Sequence, residues 1–347
     1  MRLLILFAAL LFADVSQAAE RPLIVIVGSN EHTEISDFML PYGVLKRADV
    51  ADVLTASVHE GPIRMSVGPR VQPDASLAEF DRKYPAGANY VIVPAMHDFK
   101  DPTLADWLKT QAAHGATLVS ICDGALVLAN AGVLKGHQAT AHWATRGYRE
   151  EHYPDTTWLA NARYVADGKV ITSAGISAAI PTSLSLVETI AGSERARAVA
   201  NDIGVSGWGT EHDSTVFGPH LGNLTVWMTW YTDPWFHSQR EIGLPVAQGV
   251  DEIALAITTD AYQRTKRAVP VTVAISDEPL HTRYGLTILP ERVAGAADAP
   301  VQMLPTLDSM PPALMWSKVL GRIADDYGSR TAQRLALEFE YPDYAPR

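Results

Sequence analysis

One junction constrains this chain more than any other. Thr117-Leu-Val-Ser-Ile-Cys122 reads as an apolar strand, and Asp123-Gly-Ala-Leu-Val-Leu-Ala-Asn130 follows as a helix with no spacer. So sharp a strand-to-helix turn projects its apical side chain into a crevice and sets it at the positive end of the helix dipole. The apical residue is Cys122, the single cysteine of the sequence. A lone thiol forms no internal disulfide, so it is either buried and inert or reactive. An inert cysteine lies more often in the middle of a strand or helix, and the turn favours the reactive reading. The dipole and nearby backbone N–H groups predict a lowered thiol pKa. Gly124 lets the new helix pack close to the sheet.

The rest of the first 205 residues alternates strand and helix. Leu23-Ile-Val-Ile-Val-Gly28 is a continuous apolar run closed by glycine, as expected of a buried parallel strand. Val53–Val58, Tyr90–Pro94 and Val170–Ser173 are further strands. Asp37–Arg47, Leu104–Ala113 and Leu184–Val199 have helical spacing, the last split at Gly192. The alternation predicts an α/β fold, a doubly wound and mostly parallel sheet with helices on both faces.

Residues 205–245 break that rhythm and hold Trp208, Trp227, Trp230 and Trp235. They read as an ordered connector packing its aromatics on the first domain; a substrate lid and a partner surface are the sharper alternatives. Beyond it lies an internal repeat. Leu54–Asp74 aligns without a gap on Val271–Glu291, setting Pro62 on Pro279, Gly68 on Gly285 and Pro73 on Pro290. Thr189–Ala198 aligns on Arg322–Ala332 with a small insertion. The C-terminal part is therefore expected to be a smaller α/β partial repeat, lacking the counterpart of about residues 92–175 and with it the strand–cysteine–helix turn. Ile257 aligns weakly with Asp37. The expected division is 1–19 signal peptide, 20–205 first domain, 206–245 tryptophan-rich connector and 246–347 truncated second copy.

Compartment and partner classes follow from the ends and the charge. Arg2, the apolar run Leu3–Ala13 and the small residues near Ala18 have the layout of a cleavable secretory signal. The run is too short to cross a bilayer core of about 30 Å, so a periplasmic or secreted protein without stable membrane insertion is expected. The net charge of -11 disfavours nucleic acid as a partner. Histidine spacing and the single cysteine give no metal motif, and no cofactor is expected.

The stretch Ile121–Gly136 with Ala139-Thr-Ala-His-Trp143 resembles the nucleophile elbow of the ThiJ/PfpI superfamily, whose domains are class I glutamine amidotransferase-like. Asp37, four residues before Pro41, and Thr172-Ser-Ala-Gly-Ile-Ser-Ala178 are similar to further family signatures. The resemblance spans roughly residues 22–205. It implies a flavodoxin-like sandwich with Cys122 as nucleophile, Asp37 as an acid beside the sulfur, and His142 as an assisting or orienting group. Two anions in contact are costly in a poorly hydrated crevice, so a protonated Asp37 beside a Cys122 thiolate is one expected arrangement. Asp123 would lend a backbone N–H to an oxyanion site. Ala95 and Met96 stand where the family commonly has Gly-Gly, with His97 adding a polar group, so these three are candidate oxyanion or binding residues.

The resemblance implies a cysteine-dependent hydrolase, hydratase or lyase acting on a small electrophile, with a lean towards the isocyanide hydratase-like branch. The alternative is a non-catalytic periplasmic ligand-binding or redox-sensing module. The elbow is also similar to the amidotransferase-like domain of AraC-type regulators, but no helix-turn-helix pair follows here. The expected partner is a small-molecule substrate or ligand, in a monomeric pseudo-dimer or a homodimer.

Overall fold

A computed structural model describes residues 21–307 and 310–344; the signal segment read over residues 1–19 lies outside them. Strands β1 (Leu23–Gly28), β2 (Asp52–Ser57), β3 (Ile63–Arg64), β4 (Arg70–Gln72), β5 (Ala75–Ser76), β6 (Tyr90–Val93) and β7 (Thr117–Ser120) precede the elbow. After it come β8 (Gln138–Ala139) and β9 (Thr157–Trp158), a small parallel pair, then β10 (Tyr164–Asp167) and β11 (Val170–Ser173). The main sheet runs β10-β11-β7-β6-β1-β2-β5. It is parallel apart from β10, which pairs antiparallel with β11.

The helices of this half are α1 (Ile35–Ala48), α2 (Leu77–Lys83), α3 (Pro102–Ala113), α4 (Gly124–Asn130), α5 (Arg146–His152) and α6 (Ala179–Ile203). Because strand side chains alternate, β1 feeds two cores. Ile24 and Ile26 face α1 and α6, while Val25 and Val27 face α2, α3 and α4. The expected break at Gly192 is present, with φ 84° inside α6.

The first core continues without interruption into the C-terminal region. After α7 (Leu224–Trp227) and α8 (Thr229–Phe236) come β12 (Arg240–Pro245), α9 (Glu252–Arg264), β13 (Ala268–Ala274), β14 (Leu280–His281), β15 (Thr287–Leu289) and β16 (Arg292–Val293). α10 (Met315–Tyr327) and α11 (Ser329–Glu338) follow. β12, β13 and β16 form a second parallel sheet. Its first strand lies inside the stretch read as connector, so the C-terminal α/β unit begins at Arg240 rather than at 246. Exposed Arg240 and Glu241 and the terminal proline disguise that strand in the sequence.

The two halves share one spacing. The interval from Leu23 to Arg240, 217 residues, also separates α1 from α9, β3 from β14, β4 from β15 and β5 from β16. At this interval the counterpart of Asp37 is Ala254, not Ile257. Both Thr55 and Thr272 donate hydroxyl and backbone N–H to a carboxylate 19 residues on, Asp74 and Glu291 respectively. The halves also meet through equivalent parts. β4 and β15 pair antiparallel with Val71 opposite Ile288, its counterpart, in a four-stranded sheet ordered β14-β15-β4-β3. α1 packs on α9 and buries every residue except Lys46. Among the described residues no helix is long and apolar enough to cross a membrane.

Candidate active site

Cys122 sits between β7 and α4 with φ 53°, in the left-handed region that non-glycine residues rarely adopt. Its surroundings hold it there. The Cys122 N–H donates to Ser173 Oγ at 3.1 Å, Ile121 N–H to the Val93 carbonyl at 3.0 Å, and Gly124 N–H to the Ile121 carbonyl at 2.8 Å. A Cβ on Gly124 would lie 2.0 Å from the Val93 carbonyl oxygen, so only glycine lets the elbow rest against the end of β6. The sulfur is buried and faces the backbone N–H of Asp123.

Asp37 projects from the first turn of α1 and is fully buried. One carboxyl oxygen accepts the Ala95 N–H at 3.1 Å. The other is buried without a hydrogen-bond partner among the described residues. Burial first, and the neighbouring Glu34 second, hold this carboxyl well above the usual carboxylate range. That direction favours the protonated form, as expected where acids crowd a buried thiol.

The thiol differs from the sequence expectation. Burial pushes Cys122 up, not down, and Asp37, Asp123 and Glu340 add to the shift; only the Asp123 N–H opposes it. α4 has seven residues, so its dipole is small, and three carboxyl groups outweigh it. The Asp37 contribution vanishes whenever Asp37 is protonated.

The other expected site residues divide. Asp123 and Ala95 line the same cavity as Cys122. The Asp123 carboxyl accepts from the Thr145 hydroxyl at 2.7 Å, leaving its backbone N–H to the sulfur. The Ala95 N–H is engaged by Asp37 and so is not a free oxyanion donor. Met96 packs into the second core, and His97 is exposed with its N–H on the His32 carbonyl; neither lines the cavity.

His142 lines the cavity, but both its ring nitrogens are occupied. Nε2 lies 2.8 Å from the Glu338 carbonyl, which can only accept, and Nδ1 accepts the Ala144 N–H at 3.1 Å. Those partners fix the Nε2–H tautomer. His142 thus ties the elbow's flank to the C-terminal region rather than offering a free base.

Three groups beside the site carry little local sequence signal. Glu340, with φ 52° and a fully buried side chain, accepts the Trp143 N–H at 2.9 Å and pairs with His212 at 2.5 Å. Burial acts to raise its pKa, but His212 and His142 outweigh it and hold the carboxylate below its usual range. Arg264, from the end of α9, reaches Asp260 at 2.7 Å, Glu34 at 3.1 Å and Glu338 at 3.8 Å. Despite that cation, burial and Asp260 push Glu34 up to about 8. At the 217-residue interval Arg264 stands as the counterpart of Arg47.

Above the sulfur opens a cavity of about 680 Å³. Its walls include Trp143 and Ile176 from the first domain, Leu224 and Trp227 from α7, Met228 at the joint, and Trp230 and Tyr231 from α8. The tryptophan-rich connector therefore helps to enclose Cys122.

The family model described as DJ-1/PfpI family matches residues 23–189. Isonitrile hydratase from Pseudomonas putida is 33% identical over 174 residues, 47% of this chain and 70% of that protein. The HTH-type transcriptional regulator CdhR from Pseudomonas aeruginosa is 33% identical over 133 residues, 38% of each chain. The crystal structure of Drosophila melanogaster DJ-1beta superposes with a TM-score of 0.49 at 23% identity, covering 54% of this chain and all of that one. A family model spanning β1 through the elbow to α6, and a hydratase relative covered over more than two thirds of its length, establish that the chain belongs to the DJ-1/PfpI family.

Proposed function

We propose that the chain is a cysteine-dependent hydratase acting on a small electrophile of the isonitrile class. The observation that carries this reading is the left-handed Cys122 elbow near a buried Asp37 whose pKa is raised, with the sulfur lining an apolar cavity. Support also comes from the 33% identity to an isonitrile hydratase over 174 residues.

The chemistry balances with the groups present. The Cys122 sulfur bonds to the terminal carbon of R–NC, and that carbon takes up one proton, giving a thioimidate R–N=CH–S. The Asp37 carboxyl would deliver this proton and receive the one the thiol gives up. Water then adds to the same carbon, the C–S bond breaks, one proton goes to nitrogen and one returns to the Cys122–Asp37 pair. The product is the formamide R–NH–CHO. The partly unpaired Asp37 carboxyl and the Asp123 N–H at the sulfur fit this exchange. The raised thiol pKa is compatible with it, because proton and sulfur can be transferred together rather than from a standing thiolate.

The test is rapid-quench intact-mass analysis after mixing the protein with an isonitrile. A transient adduct of one substrate mass on wild type, absent in Cys122→Ala, supports the reading. Formamide production without any dependence on Cys122 contradicts it.

A second reading is favoured by the likeness to a transcriptional regulator: a ligand-binding or redox-sensing module whose cysteine does not turn substrate over, of which the raised Cys122 pKa favours the ligand-binding form. It predicts ligand binding, or reversible oxidation of Cys122, with no product.

Two further proposals concern the whole chain. The shared 217-residue spacing and the Val71–Ile288 pairing support a C-terminal region that is a shortened second copy of the first domain, making the chain a pseudo-dimer. The apolar Leu3–Ala13 run supports export to the periplasm or beyond.

A further inference from the structure

We propose that the connector helices α7 and α8 make this site selective for a neutral substrate with an apolar, ring-sized body, and that they reject anionic substrates. The proposal rests on the reading of Cys122 as the group that meets the substrate. It goes beyond that reading because these helices lie outside residues 23–189, the part matched to the family.

Shape gives the first argument. The cavity's volume is within the range that encloses small organic ligands. Trp143 and Trp227 meet edge to face at 5.2 Å and present a rigid aromatic wall. Trp230, Tyr231 and Met228 line the same space and remain exposed, with relative accessibilities of 38%, 71% and 54%. A molecule bound at Cys122 would cover that apolar surface, and a one-carbon substituent could not reach it.

Charge gives the second argument. The charged side chains lining the cavity are Glu34, Asp123, Glu338 and Arg264. Arg264 is already shared among Asp260, Glu34 and Glu338, so among the described residues lining the cavity no uncommitted cation remains to receive a substrate carboxylate. A cationic substrate finds Glu34 and Glu338 already paired and the Asp123 carboxyl engaged by the Thr145 hydroxyl. Glu338 is paired with Arg334 as well, and Lys266 stands over the Trp230 ring at 3.0 Å, occupying an aromatic face that would hold a cation. A neutral body is what remains. The Trp227 indole N–H, buried and without an acceptor among the described residues, can serve one polar atom of such a molecule.

The experiment uses the full chain and three isonitriles: benzyl isonitrile, methyl isonitrile and isocyanoacetate. kcat/KM is measured for each on wild type. In parallel, their binding to Cys122→Ala is followed by tryptophan fluorescence. The expected result is a preference of tenfold or more for benzyl isonitrile over both others, in turnover and in binding. Trp230→Ala is expected to raise KM for benzyl isonitrile about tenfold with kcat changed much less, as for a buried apolar contact that does not take part in bond making. Equal use, or equal binding, of the anionic and benzyl compounds overturns the proposal. If wild type turns over none of them, the hydratase reading fails while the Cys122→Ala binding series still decides this one: benzyl-selective binding sustains it, and unselective or absent binding defeats it.

Discussion

Arg264 ion-pairs with Glu34, 3.1 Å away, at the head of the helix that carries Asp37. The equivalent pair, Arg47 with Asp251 at 2.6 Å, stands at the head of α9. The two contacts exchange under the 217-residue spacing, so each half supplies the cation that steadies the other half's helix start. Only one of the two places is next to a cysteine. There the cation offsets a cluster of carboxyl groups, Glu34, Asp37 and Asp260, that burial would otherwise leave unopposed.

Stability should carry the mark of that cluster. Glu34 has a pKa of about 8 in the fold against 4.5 as its ordinary value. A carboxyl whose pKa rises on folding holds its proton more tightly in the native state, so ionising it works against folding. Its effect is therefore a loss of stability as pH rises from about 4.5 towards 8. Glu34→Gln removes this loss: its Tm relative to wild type should improve by about 3 °C or more between pH 5 and pH 8.5. Thermal melts of both proteins across that range check it, and parallel curves would refute it.

Cys122 should behave as a protected thiol at rest. With its pKa raised by burial and surrounding carboxyl groups, alkylation by iodoacetamide at pH 7 should be slower than for free cysteine. The rate should rise about tenfold per pH unit past the free-thiol value of about 8.5. Asp37→Asn removes the carboxyl whose ionised form raises the thiol pKa, so wherever that form is populated the profile should move to lower pH. A wild-type thiolate already formed below pH 7 would show that the dipole reading of the turn was right after all.

Gly124→Ala is expected to be among the most damaging single-methyl changes in the chain. The new Cβ would meet a backbone carbonyl at 2.0 Å, which cannot rotate away as a side chain could. The loss should be about 3 kcal/mol or more, read from the urea midpoint, with Cys122 alkylation becoming faster as the elbow is displaced.

The pseudo-dimer proposal makes a simple prediction of mass. α1, buried all along except at Lys46, already packs against α9. Light scattering on the purified protein should give the mass of one chain. A dimer joined through the N-terminal domain alone would contradict the proposal.

What could be read in the sequence depended on how local its cause was. β1 was legible because both its faces are buried, Ile24 and Ile26 on one side and Val25 and Val27 on the other, which leaves no polar alternation to blur the run. The elbow was legible because strand, cysteine, glycine and helix are contiguous. β12 was not, since its charged start is solvent-exposed and its end is proline. Glu340 and Arg264 lie more than 140 residues from Cys122 in the sequence, and folding alone brings them to the site. The tryptophan cluster did announce itself, though not its place in the cavity wall. Ala95 was a reasonable oxyanion candidate by position, but Asp37 claims its N–H. The direction of the thiol shift was misread because the sequence displays the helix dipole and hides the buried carboxyl groups.

The most direct test of the central claim is steady-state formamide production from benzyl isonitrile by wild type, Cys122→Ser and Asp37→Asn under identical conditions. The account predicts turnover by wild type and a loss of at least about a hundredfold in kcat for each variant, because one removes the bond-forming sulfur and the other the proton it exchanges. Wild-type protein that binds benzyl isonitrile but forms no formamide, or a Cys122→Ser variant that keeps its activity, would contradict it.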